Sequence, residues 1–335
     1  MNPKISIIIL NWNGWEDTVE CLESVYQINY SDYDVIIVDN DSKDNSIDKI
    51  KEYCEGKLKV ESSFFKYNSE NKPVNIFEST KTGKTKLNEF FKLPSNRKLV
   101  IIKNDENYGF AKGNNIGMEY ALKNLDPDYI LLLNNDTVVH KQFLKELALC
   151  GEKNSKIAAI QSAIYYYNDK DRIQSLGGKL NILTGIEYNL KKGSIECDRL
   201  IGAAMLIKVS ALKKIGFIDE RYFLYMEETD WCYNARKNGF KLGGCEKSKV
   251  WHKIYSSSGG KSSPILNYYW TRNMVLFYIK NCKLYLPVFM MVFGTNKARQ
   301  ILSFTVKNDF NNVKAILYGI VDGILNRKGV MKRNY

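Results

Sequence analysis

At 335 residues the chain is long enough for one large domain with appendages or for two domains. A hydrophobic share of 44% with 13% aromatics excludes a disordered chain, and a formal charge of +12 points to an anionic partner: a phosphorylated substrate, nucleic acid or an anionic membrane face. Seven scattered cysteines without a C-x-x-C pair argue against a disulfide framework or a structural zinc site; with no signal-peptide plan at the start, a cytoplasmic setting is expected.

The chain enters a strand almost at once. Ile5-Ser6-Ile7-Ile8-Ile9-Leu10 runs without regular alternation, as a strand buried on both faces does, and closes on Asn11-Trp12-Asn13-Gly14. The spacing of Val19, Leu22, Val25 and Tyr26 predicts a helix over 15–26. A second buried strand, Val35-Ile36-Ile37-Val38, closes on Asp39-Asn40-Asp41-Ser42, with a helix expected from about Asn45. From Lys57 to Lys98 the periodicity dissolves into Lys, Ser, Asn and Thr. A stretch that long in a compact domain reads as an insertion, either a functional lid or a disordered loop.

A strand resumes at Leu99-Val100-Ile101-Ile102, and the loop Asn107 to Asn115 leads into a helix through Met118, Ala121 and Leu122. Gly109 and Gly113 before that helix would let the backbone approach a phosphate or ribose closely. They match neither a Walker loop nor the dinucleotide fingerprint, which counts against a nicotinamide enzyme.

The next apolar run, Tyr129-Ile130-Leu131-Leu132-Leu133, stops on Asn134-Asn135-Asp136. Turn and N-cap chemistry accounts for any one such ending. Three buried strands that all close on Asn or Asp would instead set a polar crescent along one sheet edge, where open α/β sheets bind ligands. A carboxylate there can hold Mg2+ together with substrate phosphates, so the crescent suits a nucleoside diphosphate.

A helix to about Cys150, a strand over 157–167 and a glycine turn over 176–180 follow. Gly202-Ala203-Ala204 opens a strand through Ile207, and a helix with Leu212 and Ile215 ends at Gly216. Beyond the acidic Glu227-Glu228-Thr229-Asp230 come a helix, Gly239 and a short strand, Lys249-Val250-Trp251, ending on His252. His140 reads as an ordinary surface residue. From about Asn267 the chain reads as helical to its end. The apolar segment Leu284–Phe293 is too short to span a bilayer. Flanked by Lys280, Lys283, Lys297 and Arg299, it suits either a membrane interface or a buried or subunit contact.

Taken in order, Asn11-Trp12-Asn13-Gly14, Val38-Asp39-Asn40, Asn107-Tyr108-Gly109-Phe110, Asn134-Asn135-Asp136, Gly202-Ala203-Ala204, Asp219-Glu220-Arg221-Tyr222-Phe223, Glu227-Glu228-Thr229-Asp230 and Trp251-His252-Lys253 resemble family 2 glycosyltransferases. Within them the chain looks most similar to the rhamnosyltransferase-type branch, over roughly residues 4–280. The resemblance implies an α/β fold of GT-A type: a Rossmann-like nucleotide-binding mixed sheet flanked by helices, with a helical C-terminal extension. It also implies an inverting reaction, a nucleotide-sugar donor and Mg2+ or Mn2+. The implied division is a catalytic domain over 1–265, with a nucleotide-binding half over 1–137 and an acceptor half over 138–265, and a helical region over 266–335.

Carried over residue by residue, Asn11 and Asp39 match positions that hold base and ribose, with Asn13 and Asn40 beside them. Asn107, Gly109, Phe110, Gly113 and Asn114 match a loop packed on the nucleoside. Asp136 resembles the last carboxylate of an Asp-x-Asp motif in which Asn134 replaces the first, with Asn135 between them; His252 matches a metal-ligand position. Glu228 occupies the general-base position where Asp is usual, and Asp230 is its rival. The resemblance-free alternative for 227–230 is an exposed acidic helix start. The expected reaction moves a sugar, rhamnose from dTDP-rhamnose by the branch, although UDP- and GDP-sugars suit the same crescent. The expected acceptor is a hydroxyl of a cell-surface glycan or lipid-linked glycan. Peripheral contact with the inner face of the cytoplasmic membrane and a homodimer are the competing expectations for the C-terminal segment. The rival functions are a silent nucleotide-binding scaffold of the same fold and a nucleic-acid binder. No RNA-recognition or helix-turn-helix signature supports the latter, so no nucleic-acid partner is expected.

Overall fold

The apolar runs become strands because their Ile, Val and Leu side chains can leave water only between two helical layers; each contributes about 1.5–3 kcal/mol on full burial. A computed structural model describes residues 2–79, 87–192, 196–254 and 263–332. Its first half comprises β1 (Ile5–Asn11), α1 (Trp15–Val25), β2 (Tyr33–Asp39), α2 (Ser46–Cys54), β3 (Asn75–Ser79), α3 (Leu87–Phe90), β4 (Lys98–Lys103), α4 (Gly109–Asn124) and β5 (Tyr129–Asn134). Then follow β6 (Thr137–Val139), α5 (Phe143–Glu152), β7 (Ile157–Tyr166), β8 (Asp169–Ser175), β9 (Gly178–Asn181), β10 (Ile186–Asn189) and β11 (Ala204–Lys208). The remainder is α6 (Val209–Ile215), α7 (Glu227–Lys237), β12 (Lys241–His252), α8 (Pro264–Asn281), α9 (Leu286–Val306) and α10 (Phe310–Ile324).

One mixed sheet of ten strands runs in the order β3-β4-β2-β1-β5-β11-β7-β12-β6, with β8 beside β7. Strands β3, β4, β2, β1 and β5 are mutually parallel, and β11 turns antiparallel against β5. Odd residues of β1 (Ile5, Ile7, Ile9) pack with Val19, Leu22 and Val25 of α1 and with Phe143 and Leu147 of α5. Ile8 of β1 faces the other layer, with Met118 and Ala121 of α4 and Trp231 of α7. This is the GT-A arrangement, a mixed sheet between helical layers with a helical part at the C-terminus.

Several elements differ from the sequence reading. Residues 80–86 of the stretch over 57–98 lie outside the described residues, and the described part is not wholly loop: β3 pairs with β4 at the sheet edge, and Phe90 is buried against the core. Both faces of this edge strand are only partly covered, and the exposed Asn75 and Glu78 leave it without an apolar run. Residues 109–115 form the first turns of α4 rather than a loop. The strand ending at His252 begins far earlier, at Lys241. Its Gly243-Gly244 hides it, yet glycine is required there, since a Cβ on Gly244 would stand 2.2 Å from the Leu176 carbonyl oxygen. The three- and four-residue β6, β9 and β10 are too short to register, and β8 is polar apart from Ile173. Cys150 of α5 and Cys245 of β12 are joined in a disulfide, a single link that the scattered spacing did not announce. The other five cysteines are buried and outside any disulfide. No single helix among the described residues is long and apolar enough to cross a membrane.

Candidate active site

Parallel register brings the three strand ends together: Asn11 pairs with Asp39, and its neighbour Leu10 with Asn134. Hydrogen bonds then fix the crescent. Asn11 Nδ2 donates to Asp39 Oδ1 at 2.6 Å, and Thr18 Oγ1 donates to Asn11 Oδ1 at 2.7 Å. Asn135 Nδ2 donates to the same Thr18 hydroxyl at 3.0 Å, so the β1 and β5 ends share one network. Ser42 donates to both Asp39 oxygens, from Oγ at 2.7 Å and from its backbone at 3.0 Å. Asn13 caps the next loop, accepting from the Lys43 backbone at 2.7 Å.

The α4 side is built differently from its sequence reading. Asn40 donates to the Gly109 carbonyl at 3.0 Å and accepts from Asn104 at 2.8 Å, which ties β2 to the start of α4. Asn107 Oδ1 accepts from Gly109 N at 2.9 Å, and Asn114 donates back to the Phe110 carbonyl at 2.9 Å. Gly109 has a φ of 73°, and a Cβ there would meet Phe223 O at 2.3 Å; one on Gly113 would meet Leu10 Cδ1 at 2.5 Å. Both glycines therefore permit close packing within the protein, of α4 on Phe223 and on β1. Phe110 N donates to Phe223 O at 2.7 Å, so the first turn of this helix is already occupied.

Asp136 lies between β5 and β6, and β12 pairs antiparallel with β6 so that His252 faces Thr137. That register sets His252 Nε2 3.2 Å from Asp136 Oδ1, both side chains being nearly buried. Gln174 Oε1, 3.2 Å from Nδ1, orients the ring from the other side; nothing in the sequence singled it out. Lys253 is held by Asp17 and Glu20, so its ammonium is committed to α1. Among the described residues no three His, Cys, Asp or Glu side chains form a metal cluster. One carboxylate and one imidazole do not make a closed protein cage. They fit a divalent ion that takes its remaining ligands from substrate phosphates and water.

The acidic start of α7 is not exposed, contrary to the simple reading: Glu227 is 3% and Asp230 2% accessible. Asp230 is saturated. Oδ1 accepts from Tyr222 OH at 3.0 Å and Asn281 Nδ2 at 2.6 Å, and Oδ2 accepts from Lys280 Nζ at 2.6 Å and Asn234 Nδ2 at 3.2 Å. Glu228 is half-buried, and its Oε2 has no hydrogen-bond partner among the described residues. Burial pushes its carboxyl up to about 7, while backbone N–H groups of Glu228 and Gly202 and the Arg199 guanidinium draw it back. Glu227 is raised further, first by burial and then by the Glu228 charge. Arg199, within 3.4 Å of Glu187, is the basic neighbour of this group, and its isolated position in the sequence gave no signal.

A doubly layered mixed sheet with a polar crescent at its parallel strand ends defines a GT-A nucleotide-sugar transferase fold. The chain belongs to glycosyl transferase family 2, whose profile matches residues 6–75 and 78–216, and it is a glycosyltransferase. It is 26% identical over 243 residues to the low-salt glycan biosynthesis hexosyltransferase Agl10 of Haloferax volcanii, covering 68% of this chain and 76% of that one. Identity to the dTDP-rhamnosyl transferase RfbF of Shigella flexneri is 25% over 248 residues, covering 70% and 81%. The rhamnosyltransferase WbbL of Escherichia coli is 26% identical over 152 residues, covering 40% and 57%. Among solved structures, the mannosyltransferase PcManGT of Pyrobaculum calidifontis with GDP-Man and Mn2+ superposes with a TM-score of 0.56 at 10% identity, covering 98% of this chain and 89% of that one. GalNAc-T7 with UDP, GalNAc and Mn2+ gives 0.53 at 16% identity; the match covers 82% of this chain but only 50% of that longer one.

Proposed function

We propose that the protein transfers a sugar, rhamnose from dTDP-rhamnose, to a hydroxyl of a cell-surface or lipid-linked glycan with inversion at the anomeric carbon. The contact between Asp136 and His252 carries this reading, because it joins two motif positions from distant parts of the chain at the end of the nucleotide-binding strands. Asn11 and Asp39, already locked together, offer their remaining polar valences to the nucleoside, and Asn134 closes the crescent beside them. Asp136 and His252 would hold Mg2+ or Mn2+. Bound there, the ion would neutralise charge on the departing diphosphate.

Glu228 is the general base of this account. Inversion requires a base on the sugar face opposite the diphosphate, and positioned proton removal from a weakly nucleophilic hydroxyl is worth about 10²–10⁴-fold. A carboxyl near neutrality is suited to that work, whereas Asp230 has both oxygens engaged in holding α7 to α8. Two relatives bearing rhamnosyl names support the sugar assignment. The basic, partly apolar C-terminal helices support peripheral membrane contact, where a lipid-linked acceptor would lie.

Thermal melting with UDP, dTDP and GDP, with and without Mn2+, tests the donor site. dTDP with Mn2+ is expected to stabilise most, and Asp136→Ala, which leaves the core intact, to lose the metal-dependent part. Equal shifts with all three nucleotides would overturn the dTDP assignment. No shift with any of them would overturn the nucleotide-sugar reading.

A further inference from the structure

The segment leading into α7 is conformationally costly. Phe223, Tyr225 and Met226 have positive φ values of 26°, 66° and 74°. Side chains other than glycine occupy that region rarely and stay there only when their surroundings hold them. What holds them lies on α8. Asn273, fully buried, donates from Nδ2 to the carbonyls of Leu224 at 2.7 Å and Tyr225 at 2.8 Å. Its Oδ1 accepts from Arg272 Nε at 2.9 Å, so only one orientation of the amide satisfies every contact.

Arg272 is itself locked. It lies against the rings of Tyr268 and Tyr269 and donates from Nη1 to the Gly329 carbonyl at 2.6 Å. Tyr269 also stacks on Phe223, with ring centroids 5.2 Å apart. On its other side the same loop accepts the bond from Phe110 at the start of α4. The loop is thus gripped between α8 and the donor-side helix, and its last residue immediately precedes Glu227 and Glu228.

We infer that Asn273 is a positioning residue for sugar transfer: by pinning Leu224 and Tyr225 it sets the first turn of α7, and with it the Glu228 carboxylate, against the donor-side helix. The inference rests on Glu228 being the base. It assigns α8, which lies outside the nucleotide-binding sheet, a part in the chemistry. Lys280 and Asn281, farther along the same helix, hold Asp230 and so anchor the same first turn of α7 from its other end.

Asn273→Ala removes both donors to the loop. Its release of nucleoside diphosphate from dTDP-rhamnose should fall on the order of 10²-fold, the scale of a misplaced catalytic group. Binding of dTDP with Mn2+ should stay within about twofold. Tyr269→Leu removes the ring beneath Phe223 without touching the amide, and should cause a smaller loss of the same kind should the first variant fold poorly. Hydrogen exchange gives a readout independent of turnover: peptides over 219–232 should exchange faster in Asn273→Ala, while those from β1, β2 and β5 should not. Unchanged exchange over 219–232 overturns the clasp even in a protein that turns over no sugar. Faster exchange with wild-type turnover overturns the positioning role, as does loss of turnover and dTDP affinity in equal proportion. If wild-type protein releases nothing while the exchange pattern holds, the fault lies in the functional reading and not in the clasp.

Discussion

Glu228 and Asp230 stand two positions apart in one helical turn, yet their surroundings differ. Four hydrogen bonds saturate Asp230, including one to Lys280, which is 24% exposed. Asp230→Asn should therefore destabilise by roughly 1–3 kcal/mol, below the cost of breaking a fully buried pair because water reaches the lysine. Glu228→Gln should instead abolish turnover while keeping dTDP binding, with a loss of at least about 10²-fold. Its stability should respond to pH in a defined direction. Because the folded carboxyl titrates near 7, above its unfolded value of 4.5, its contribution is complete below that unfolded value and is lost as pH rises through about 7. The Gln variant cannot ionise, so it should melt with wild type at pH 4 and above it at pH 8. Active Glu228→Gln together with inactive, well-folded Asp230→Asn would reverse the assignment. Sequence reading offered Glu228 with Asp230 as its rival, and the partners that distinguish their surroundings, such as Asn281, lie on a different helix that no local pattern connects to them.

At the scale of elements, the buried parallel strands were the most legible, because full burial on both faces removes every polar side chain until the strand ends. The Asn and Asp endings were legible for the same reason. Strands at the sheet edge were not: β3 and β8 are partly exposed, and the β9–β10 hairpin is held by Tyr278 of α8, which donates to the Ile182 carbonyl, and by Phe289 of α9 against Gly185. The helix α9 was visible, but its division into two faces was not. Phe289, Phe293 and Lys297 point inward, whereas Val288, Met291, Leu302 and Val306 form an exposed stripe that Leu284, just ahead of the helix, extends. The segment from Leu284 to Asn308 contains no acidic residue, and its Arg299 and Lys307 are exposed. An anionic bilayer would bury such a stripe and gain about 1 kcal/mol per suitably placed basic residue. The protein should float with vesicles containing phosphatidylglycerol at low salt, and Met291→Glu with Leu302→Glu should abolish flotation without altering dTDP binding. Failure to float, with a dimer that those same substitutions dissociate, would assign the stripe to a second copy of the chain.

Across the whole molecule, the packing around the 219–230 segment does not stop at the nucleotide-binding sheet. Hydrogen bonds from Asn273, Lys280 and Asn281 reach back to the 219–230 segment, and the chain end returns to it as Gly329 N donates to Arg221 O at 3.0 Å. A boundary near 265 follows the change in sequence pattern but cuts this packing, which no local pattern announces. The central claim is nucleotide-sugar cleavage with Glu228 as base. The most direct test is release of dTDP from dTDP-rhamnose with Mn2+ and a glycoside acceptor, followed across pH 5–9 in wild type and Glu228→Gln and accompanied by NMR of the product's anomeric centre. The account predicts an inverted linkage and a rate that rises through about pH 7 to a plateau in wild type, with neither seen in the variant. Equal release by Glu228→Gln, or a product that retains the donor's configuration, would contradict it.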